Sequence, residues 1–270
     1  APTSSLKFRD HAESAITVAT KLGVAYLLEG SVRRSGDIVR IAAELIDGRT
    51  GFSRWADSFD RKIDDIFAVQ SEIANTVARA LVAEVSENGS VAAGSEKARS
   101  GGTSNVAAFD AYLRGKAFYN LHADEKSYRA ALAQFDAAIE ADPKYAAAYS
   151  ARARSLTSIA NQFANADQFA SLYGEAEESA RRAVALAPRF ADAHSTLGVV
   201  LFQGKLDFRG ARQPFEVSRR LAPGDANVLA RFATFCATVG RFAEATEAIS
   251  QALELDPLNP AMYNSAGFVQ

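Results

Sequence analysis

The chain has 270 residues, 48% of them hydrophobic, and a formal net charge of −2 at pH 7. This length allows two domains with folded cores, and the near-neutral charge gives no general attraction to nucleic acid or to an anionic membrane. The single cysteine, Cys236, excludes an internal disulfide and a cluster of cysteine metal ligands. The sequence contains no run of about 18 apolar residues, which is the length that a helix needs to span a bilayer.

The first 85 residues predict a helix, three strands and a second helix. Residues 12–22 place apolar side chains at helical spacing. Three alternating runs follow, separated by turn sequences at 35–37 and 47–51, as expected for antiparallel strands. Residues 66–81 carry apolar side chains three or four apart, which predicts an amphipathic helix. This order predicts an α+β domain over residues 1–85, with a three-stranded or larger sheet and helices.

Two groups of charged residues in this half were considered as sites. Arg33 and Arg34 precede the hairpin turn and are candidate contacts for a phosphate or carboxylate of a small effector. The alternative, which we favour, is that they keep an exposed strand edge soluble. The acidic residues between 57 and 65 lack the glycine and glutamate spacing of an EF-hand, so we expect no metal site.

Residues 86–108 are rich in glycine and serine and show no apolar period, which predicts a linker. The sequence after residue 108 contains an internal repeat. Pro143, Pro188, Pro223 and Pro257 are separated by 45, 35 and 34 residues, and each closes an apolar helical pattern. Because proline ends a helix, this period predicts a stack of helix pairs.

The apolar faces of these pairs combine small and large residues. In the third pair, Gly198 and Ala211 are expected to let the two helix backbones approach closely, and the larger residue three or four places after each is expected to fill the gap between them. In the first pair the predicted faces hold Leu113, Gly115 and Phe118 on one helix and residues 131–138 on the other.

This pattern resembles the tetratricopeptide (TPR) repeat family over residues 109–270, with about four repeats and a truncated fifth helix. The resemblance implies an all-α superhelix whose concave groove, lined by the first helix of each repeat, binds a protein or peptide. Helical phase gives these candidates for partner contacts in the groove: Lys116, Tyr119, Asn120, Arg154, Asp192, Gln203, Asn227 and Asn264.

The text LGVAYLLEGSVRRSGDIVRIAAELIDGRTGFSRWADSFDRKIDDIFAVQSEIA resembles the TolB/FlgO-like α/β domain of bacterial signalling proteins, over about residues 15–83. In that family the domain typically lies between an output module and TPR repeats. The output module is often a class III adenylate or guanylate cyclase, and sometimes a winged-helix DNA-binding domain or a protein kinase.

Motifs for chemistry are missing from the sequence. It contains no G-x-x-x-x-G-K-[ST] loop, no G-x-G-x-x-G and no G-x-S-x-G, and its three histidines lie far apart. We therefore expect no catalytic, cofactor-binding or metal-binding residues in this chain, and no cofactor. Both ends read as cut from a longer protein, so the catalytic domain of a cyclase parent would lie outside this chain.

The leading expectation is a non-catalytic sensory or scaffold region of a bacterial signalling protein that binds a protein or peptide in the groove. One alternative is a regulatory domain that binds a small effector. Another is a module that forms a homodimer, for example in a membrane-anchored transcriptional regulator. The sequence leaves the location open: periplasmic if the parent has an upstream membrane helix, and cytoplasmic otherwise.

Overall fold

The computed structural model describes residues 4–5, 7–8, 13–62, 76, 101–121 and 124–269. The chain divides into a first unit, the sheet unit (residues 1–96 and 253–260), and a second, the helical unit (residues 97–252 and 261–270). Only Thr76 of the helix expected at 66–81 is described, and residues 86–100 of the expected linker lie outside the described residues.

The sheet unit begins with helix α1 (Ala15–Leu22), as the apolar spacing predicted. Ser14 caps its start by accepting a hydrogen bond from the Thr17 amide, and Gly23, at φ 66°, ends it in the left-handed conformation that glycine adopts readily. Ala19 and Leu22 of this helix pack against Leu27 and Ile46 of the sheet.

The sheet has three antiparallel strands, β1 (Tyr26–Ser35), β2 (Ile38–Asp47) and β3 (Ser53–Lys62), with β2 in the centre. The tight turn between β1 and β2 places Gly36 at φ 60°. Because side chains alternate along a strand, Ile46 of β2 faces α1, whereas Val39 and Leu45 are buried on the other face. This topology confirms the predicted three-stranded sheet.

The helical unit continues the chain as a series of helices. In the described residues these are α2 (Val106–Tyr119), α3 (Glu125–Ala141), α4 (Ala146–Gln162), α5 (Ala166–Leu186), α6 (Ala191–Gly204), α7 (Phe208–Leu221), α8 (Ala226–Thr238), α9 (Phe242–Leu255) and α10 (Pro260–Val269). Helix α9 ends in residues that belong to the sheet unit. The extra length of the second predicted repeat is absorbed by α4 and α5, of 17 and 21 residues.

Side-chain contacts show that neighbouring helices run antiparallel. In the middle of α2, the Tyr112 ring lies 5.8 Å from that of Phe135 of α3. At the end of α2, the Tyr119 ring lies 5.5 Å from that of Tyr128, which is near the start of α3. Between α6 and α7, the Ser218 hydroxyl donates a 2.9 Å hydrogen bond to the carbonyl of Ala191. The chain therefore folds as a sheet followed by helix pairs, which confirms the predicted fold class.

Glycines allow the paired helices to approach closely. A Cβ atom on Gly198 would lie 2.9 Å from the Phe215 ring, and one on Gly115 would lie 2.6 Å from Phe135. The close approach expected at Gly198 is thus confirmed, and the side chain that fills the space opposite it is Phe215. Leu113 and Phe118, however, are exposed and not buried, because the buried face of α2 is the one that carries Ala108 and Gly115.

The boundaries of the helical unit differ from the predicted ones. Its first helix starts at Val106, three residues before the expected start of the repeats, because Asn105 caps it and also donates a 2.8 Å hydrogen bond to the carbonyl of Ala141. Residues 253–260, expected within the repeats, belong to the sheet unit, where the amide and hydroxyl of Ser4 donate to Asp256 at 2.9 and 2.6 Å. Among the described helices, none combines the length and apolar character needed to cross a membrane.

Candidate functional site

The helical unit contains a groove of about 550 Å³. All of its lining residues come from the first helix of a pair (α2, α4, α6 or α8) or from α10, which follows the fourth pair. The lining residues are Tyr119, Arg154, Thr157, Ser158, Asn161, Gln162, Thr196, Val199, Phe202, Gln203, Arg231, Thr234, Asn264, Ser265 and Phe268.

Helical periodicity explains how one helix serves both the groove and the core. On α4, Arg154, Thr157, Ser158 and Asn161 recur three or four residues apart, so they share one face. The residues between them, such as Leu156, are buried against neighbouring helices. Each first helix thus presents polar side chains on one side and apolar side chains on the other.

An ion-pair network forms part of the groove wall. Asp192, near the start of α6, pairs through one oxygen with Arg154 of α4 and through the other with Arg231 of α8, at 3.0 Å. The Ser150 hydroxyl donates a 2.7 Å hydrogen bond to the same carboxylate. One acidic residue therefore links three successive first helices and holds two guanidinium groups in place, a network that we call the Asp192 network.

Burial and charge oppose each other in this network. Burial alone would raise the pKa of Asp192, but the two guanidinium groups outweigh it and leave that pKa well below its usual range. Burial would likewise lower the pKa of Arg154, yet the Asp192 carboxylate outweighs it and the pKa is raised. Asp192 and Arg154 are thus both charged at neutral pH.

Side-chain amides form a second network along the groove. The Asn161 amide donates a 3.1 Å hydrogen bond to the side-chain oxygen of Gln203, which joins α4 to α6. The Tyr173 hydroxyl of α5 donates to the other end of the Asn161 amide at 2.8 Å. Burial raises the pKa of Tyr173 to about 12, so this hydroxyl stays protonated and keeps its role as a donor. Asn161 is therefore fixed in one orientation.

Tyr119, Arg154, Gln203 and Asn264 line the groove together, although they are far apart in sequence. Asp192 joins them through its pairing with Arg154.

The other three groove candidates lie elsewhere on the helical unit's surface. Lys116 lies over the ring of Tyr112, at 5.8 Å, Asn120 follows the end of α2, and Asn227 is exposed one turn before Arg231. The structure does not place these three along the groove wall.

The effector candidates Arg33 and Arg34 are exposed on β1. They are consecutive, so their side chains point to opposite faces of the sheet and do not converge on one ligand. Arg34 donates a 2.9 Å hydrogen bond to the Gly36 carbonyl of its own turn, and Arg33 lies opposite Arg40 in the register.

Sequence reasoning missed two residues that matter to the groove, Asn161 and Arg231. Each lies on the same helical face as a residue that was chosen: Asn161 is seven residues after Arg154, and Arg231 is four residues after Asn227. Following the same helical face along the whole helix would have identified both residues.

No family model matches the chain. Over 183 residues it is 35% identical to a protein of Rhizobium meliloti (strain 1021) named "Putative adenylate cyclase 3". This match covers 66% of the chain and 30% of the relative, so the chain spans less than a third of that protein.

Solved TPR proteins are similar in structure to part of this chain. The Thermus thermophilus protein TTC0263, a thermophilic TPR protein, gives a TM-score of 0.43 at 17% identity, over 60% of this chain and 99% of that one. YrrB, described as a TPR protein with an unusual peptide-binding site, gives a TM-score of 0.39 at 20% identity, over 60% of this chain and 75% of YrrB. The first TPR of Spaghetti (RPAP3), bound to the HSP90 peptide SRMEEVD, gives a TM-score of 0.30 at 18% identity, over 61% of this chain and 91% of that one.

Proposed function

We propose that the helical unit is a binding scaffold that holds an extended segment of a partner protein in the groove. The observation that supports this proposal is the composition of the groove wall. Hydroxyl and amide side chains from successive first helices line it, together with the Asp192 network. These groups both donate and accept hydrogen bonds, as an extended chain requires of its binding site.

The spacing of the helices suits an extended segment. Packed helices lie about 8–10 Å apart, and an extended chain advances about 3.3–3.6 Å per residue, so each first helix would meet every second or third residue of the partner. An extended segment carries unpaired backbone N–H and C=O groups, which Asn161, Gln203 and Asn264 can satisfy.

We further infer that the chain is the non-catalytic sensory region of a bacterial signalling protein whose output domain is an adenylate or guanylate cyclase. The name of the Rhizobium meliloti relative supports this inference, as does the resemblance of residues 15–83 to the TolB/FlgO-like domain. In this proposal residues 1–85 form that domain, residues 86–105 connect it to the repeats, and the repeats begin with α2.

Binding in the groove is tested with peptides selected from a randomised dodecapeptide library against the purified chain. Ser158 lies on the groove wall, whereas Ser171 is exposed on α5, outside it. The same change, Ser158→Phe or Ser171→Phe, therefore fills the groove in one variant and not in the other. We expect fluorescence anisotropy to show at least tenfold weaker binding for Ser158→Phe and unchanged binding for Ser171→Phe. Equal affinities for both variants would place the binding surface elsewhere and contradict the proposal.

The non-catalytic role is tested separately by incubating the purified chain with ATP or GTP and Mg²⁺ and measuring cyclic nucleotide. We expect no product above that of a heat-denatured sample. Sustained turnover by this chain would refute the inference.

A further inference from the structure

We propose that the partner is anchored by one acidic side chain, located within an extended segment, that binds to the groove-facing side of Arg154 and Arg231. This inference rests on the proposed function and names the chemistry that the groove selects.

The charge of the groove wall supports an anionic anchor. Among the described residues that line the groove, Arg154 and Arg231 are the only charged ones. The Asp192 carboxylate compensates one of the two positive charges, which leaves the Asp192 network with a net charge of about +1. In a partly desolvated site, an uncompensated charge attracts an opposite one more strongly than it does in water.

The hydrogen bonds of the network leave donors for such an anchor. The Asp192 carboxylate pairs with one nitrogen of each guanidinium group, and Arg231 donates a further 3.3 Å hydrogen bond to the Ser195 hydroxyl. Arg154 also interacts with the Tyr112 hydroxyl. These contacts occupy fewer than the five N–H donors that each guanidinium carries, and the planar fork of a guanidinium suits a carboxylate.

Asp192 is in this view a positioning residue. Its side chain is 27% exposed, and those of Arg154 and Arg231 are 20% and 27% exposed, so all three are held partly out of solvent. The Ser150 hydroxyl fixes the carboxylate and contacts the Thr196 hydroxyl at 3.0 Å. The two guanidinium groups are consequently ordered before a partner arrives, which lowers the entropic cost of binding.

The extent of the groove favours an internal residue over a chain terminus. Tyr119 of α2 lines it on one side of the Asp192 network, and Asn264 of α10 lines it on the other. A bound segment could therefore continue in both directions from its anchor. A carboxylate is favoured over a phosphate because its single negative charge balances the single uncompensated positive charge.

The test uses sets of dodecapeptides from the selection above, acetylated and amidated, that differ only at one central position. That position is Glu, Gln or phosphoserine, and a fourth peptide has the central Gln with a free C-terminal carboxylate. We expect the Glu peptide to bind the whole chain about tenfold more tightly than the Gln peptide, as for a charge-assisted hydrogen bond. We expect this ratio to fall when the salt concentration is raised from about 50 to about 500 mM.

Two variants with the same change of charge locate the anchor. Arg231→Gln removes a groove charge and still leaves Asp192 paired with Arg154, whereas Arg212→Gln removes an exposed charge on α7. We expect the preference for Glu to disappear in the first variant and to persist in the second. Arg231→Lys, which keeps the charge but not the planar fork, should retain a reduced preference; circular dichroism confirms that each variant is folded.

Each contrary result has a separate meaning. If Glu and Gln peptides bind equally and Ser158→Phe weakens both, the anchor is wrong and the proposed function stands. If Ser158→Phe weakens neither, the proposed function fails as well. Tighter binding of the peptide with a free C-terminus would show terminal capture, and tighter binding of the phosphoserine peptide would show phosphopeptide recognition; either result overturns the acidic side-chain anchor.

Discussion

The sheet unit and the helical unit bury their apolar residues in different ways. In the sheet unit a single central strand, β2, supplies half of the buried apolar residues that the structure describes, and eight of the ten residues of β1 are exposed. In the helical unit small residues repeatedly meet an aromatic ring across a helix pair, as Gly115 meets Phe135 and Gly198 meets Phe215. The sheet unit thus depends on a few positions around one strand, whereas the helical unit distributes its core over successive similar interfaces.

Phe215→Ala should produce the largest loss of stability. The Phe215 ring is 1% exposed and stacks on Phe235, with 4.9 Å between the ring centroids. Its removal leaves a cavity where α6, α7 and α8 meet, so we expect urea denaturation followed by circular dichroism to show a loss of about 3–5 kcal/mol. Phe242→Ala removes a ring that is 65% exposed, and it should change the free energy of unfolding by less than about 0.5 kcal/mol. Similar losses in both variants would show that the aromatic residue of this pair does not organise the core.

Gly48→Ala tests the sheet unit in the opposite way, by adding an atom. The new Cβ would lie 2.5 Å from the Cβ of Ala19 and 3.0 Å from the carbonyl oxygen of Ala25, so α1 must move away from the sheet. We expect a loss of about 1–3 kcal/mol. The same substitution at Gly174, which has open space in α5, should stabilise the helix by up to about 1 kcal/mol. Destabilisation by both substitutions would refute the steric explanation.

Asn165→Ala should have a smaller effect on the helical unit. The Asn165 side chain accepts from the Gln168 amide, and the Gln168 side chain accepts from the Asn165 amide, which forms a capping box at the start of α5. We expect a loss of about 1 kcal/mol in a urea titration, and a smaller loss for Gln168→Ala, which keeps the cap itself. A larger effect of Gln168→Ala would show that its side chain has another role.

The smallest expected effect concerns Asp47, the last residue of β2. The amide of Arg49, then that of Thr50, donate to its carboxylate at 2.9 and 3.0 Å and, with a smaller contribution from Arg54, lower its pKa to about 2. Because the folded pKa lies below the ordinary value, the stabilisation is complete at neutral pH and is lost as the pH falls from about 4 to about 2. NMR titration of the carboxyl carbon should give this low midpoint, and Arg54→Ala should leave most of the shift in place. An ordinary midpoint in the wild-type chain would contradict the hydrogen bonding of the turn.

The sequence predicted local structure well because the relevant signals are local. Alternation and the Ser35-Gly36-Asp37 turn defined the first hairpin, and the small and aromatic residues at helical spacing defined the pair that contains Gly198 and Phe215. The start at Val106 was missed, because the cap that permits it is stabilised by a contact from Asn105 to Ala141, 36 residues away.

The groove was only partly predictable, for a similar reason. Helical phase identified Tyr119 and Arg154, which line it, but gave the same weight to Lys116 and Asn227, which do not. Which turn of a helix reaches the groove depends on how neighbouring helices pack, and phase within one helix does not contain that information. The pairing of Asp192 with two arginines on different helices depends on the same packing.

The unequal spacing of the prolines has a mechanical consequence. In an optical-tweezers measurement, a stack of helix pairs that each contact mainly their neighbours would yield one pair at a time. A pair of 45 residues, such as that between Pro143 and Pro188, would release about 150 Å of contour length, and one of 34 residues, such as that between Pro223 and Pro257, about 115 Å. The length of the first rip in a force–extension trace would thus show whether the long pair unfolds first.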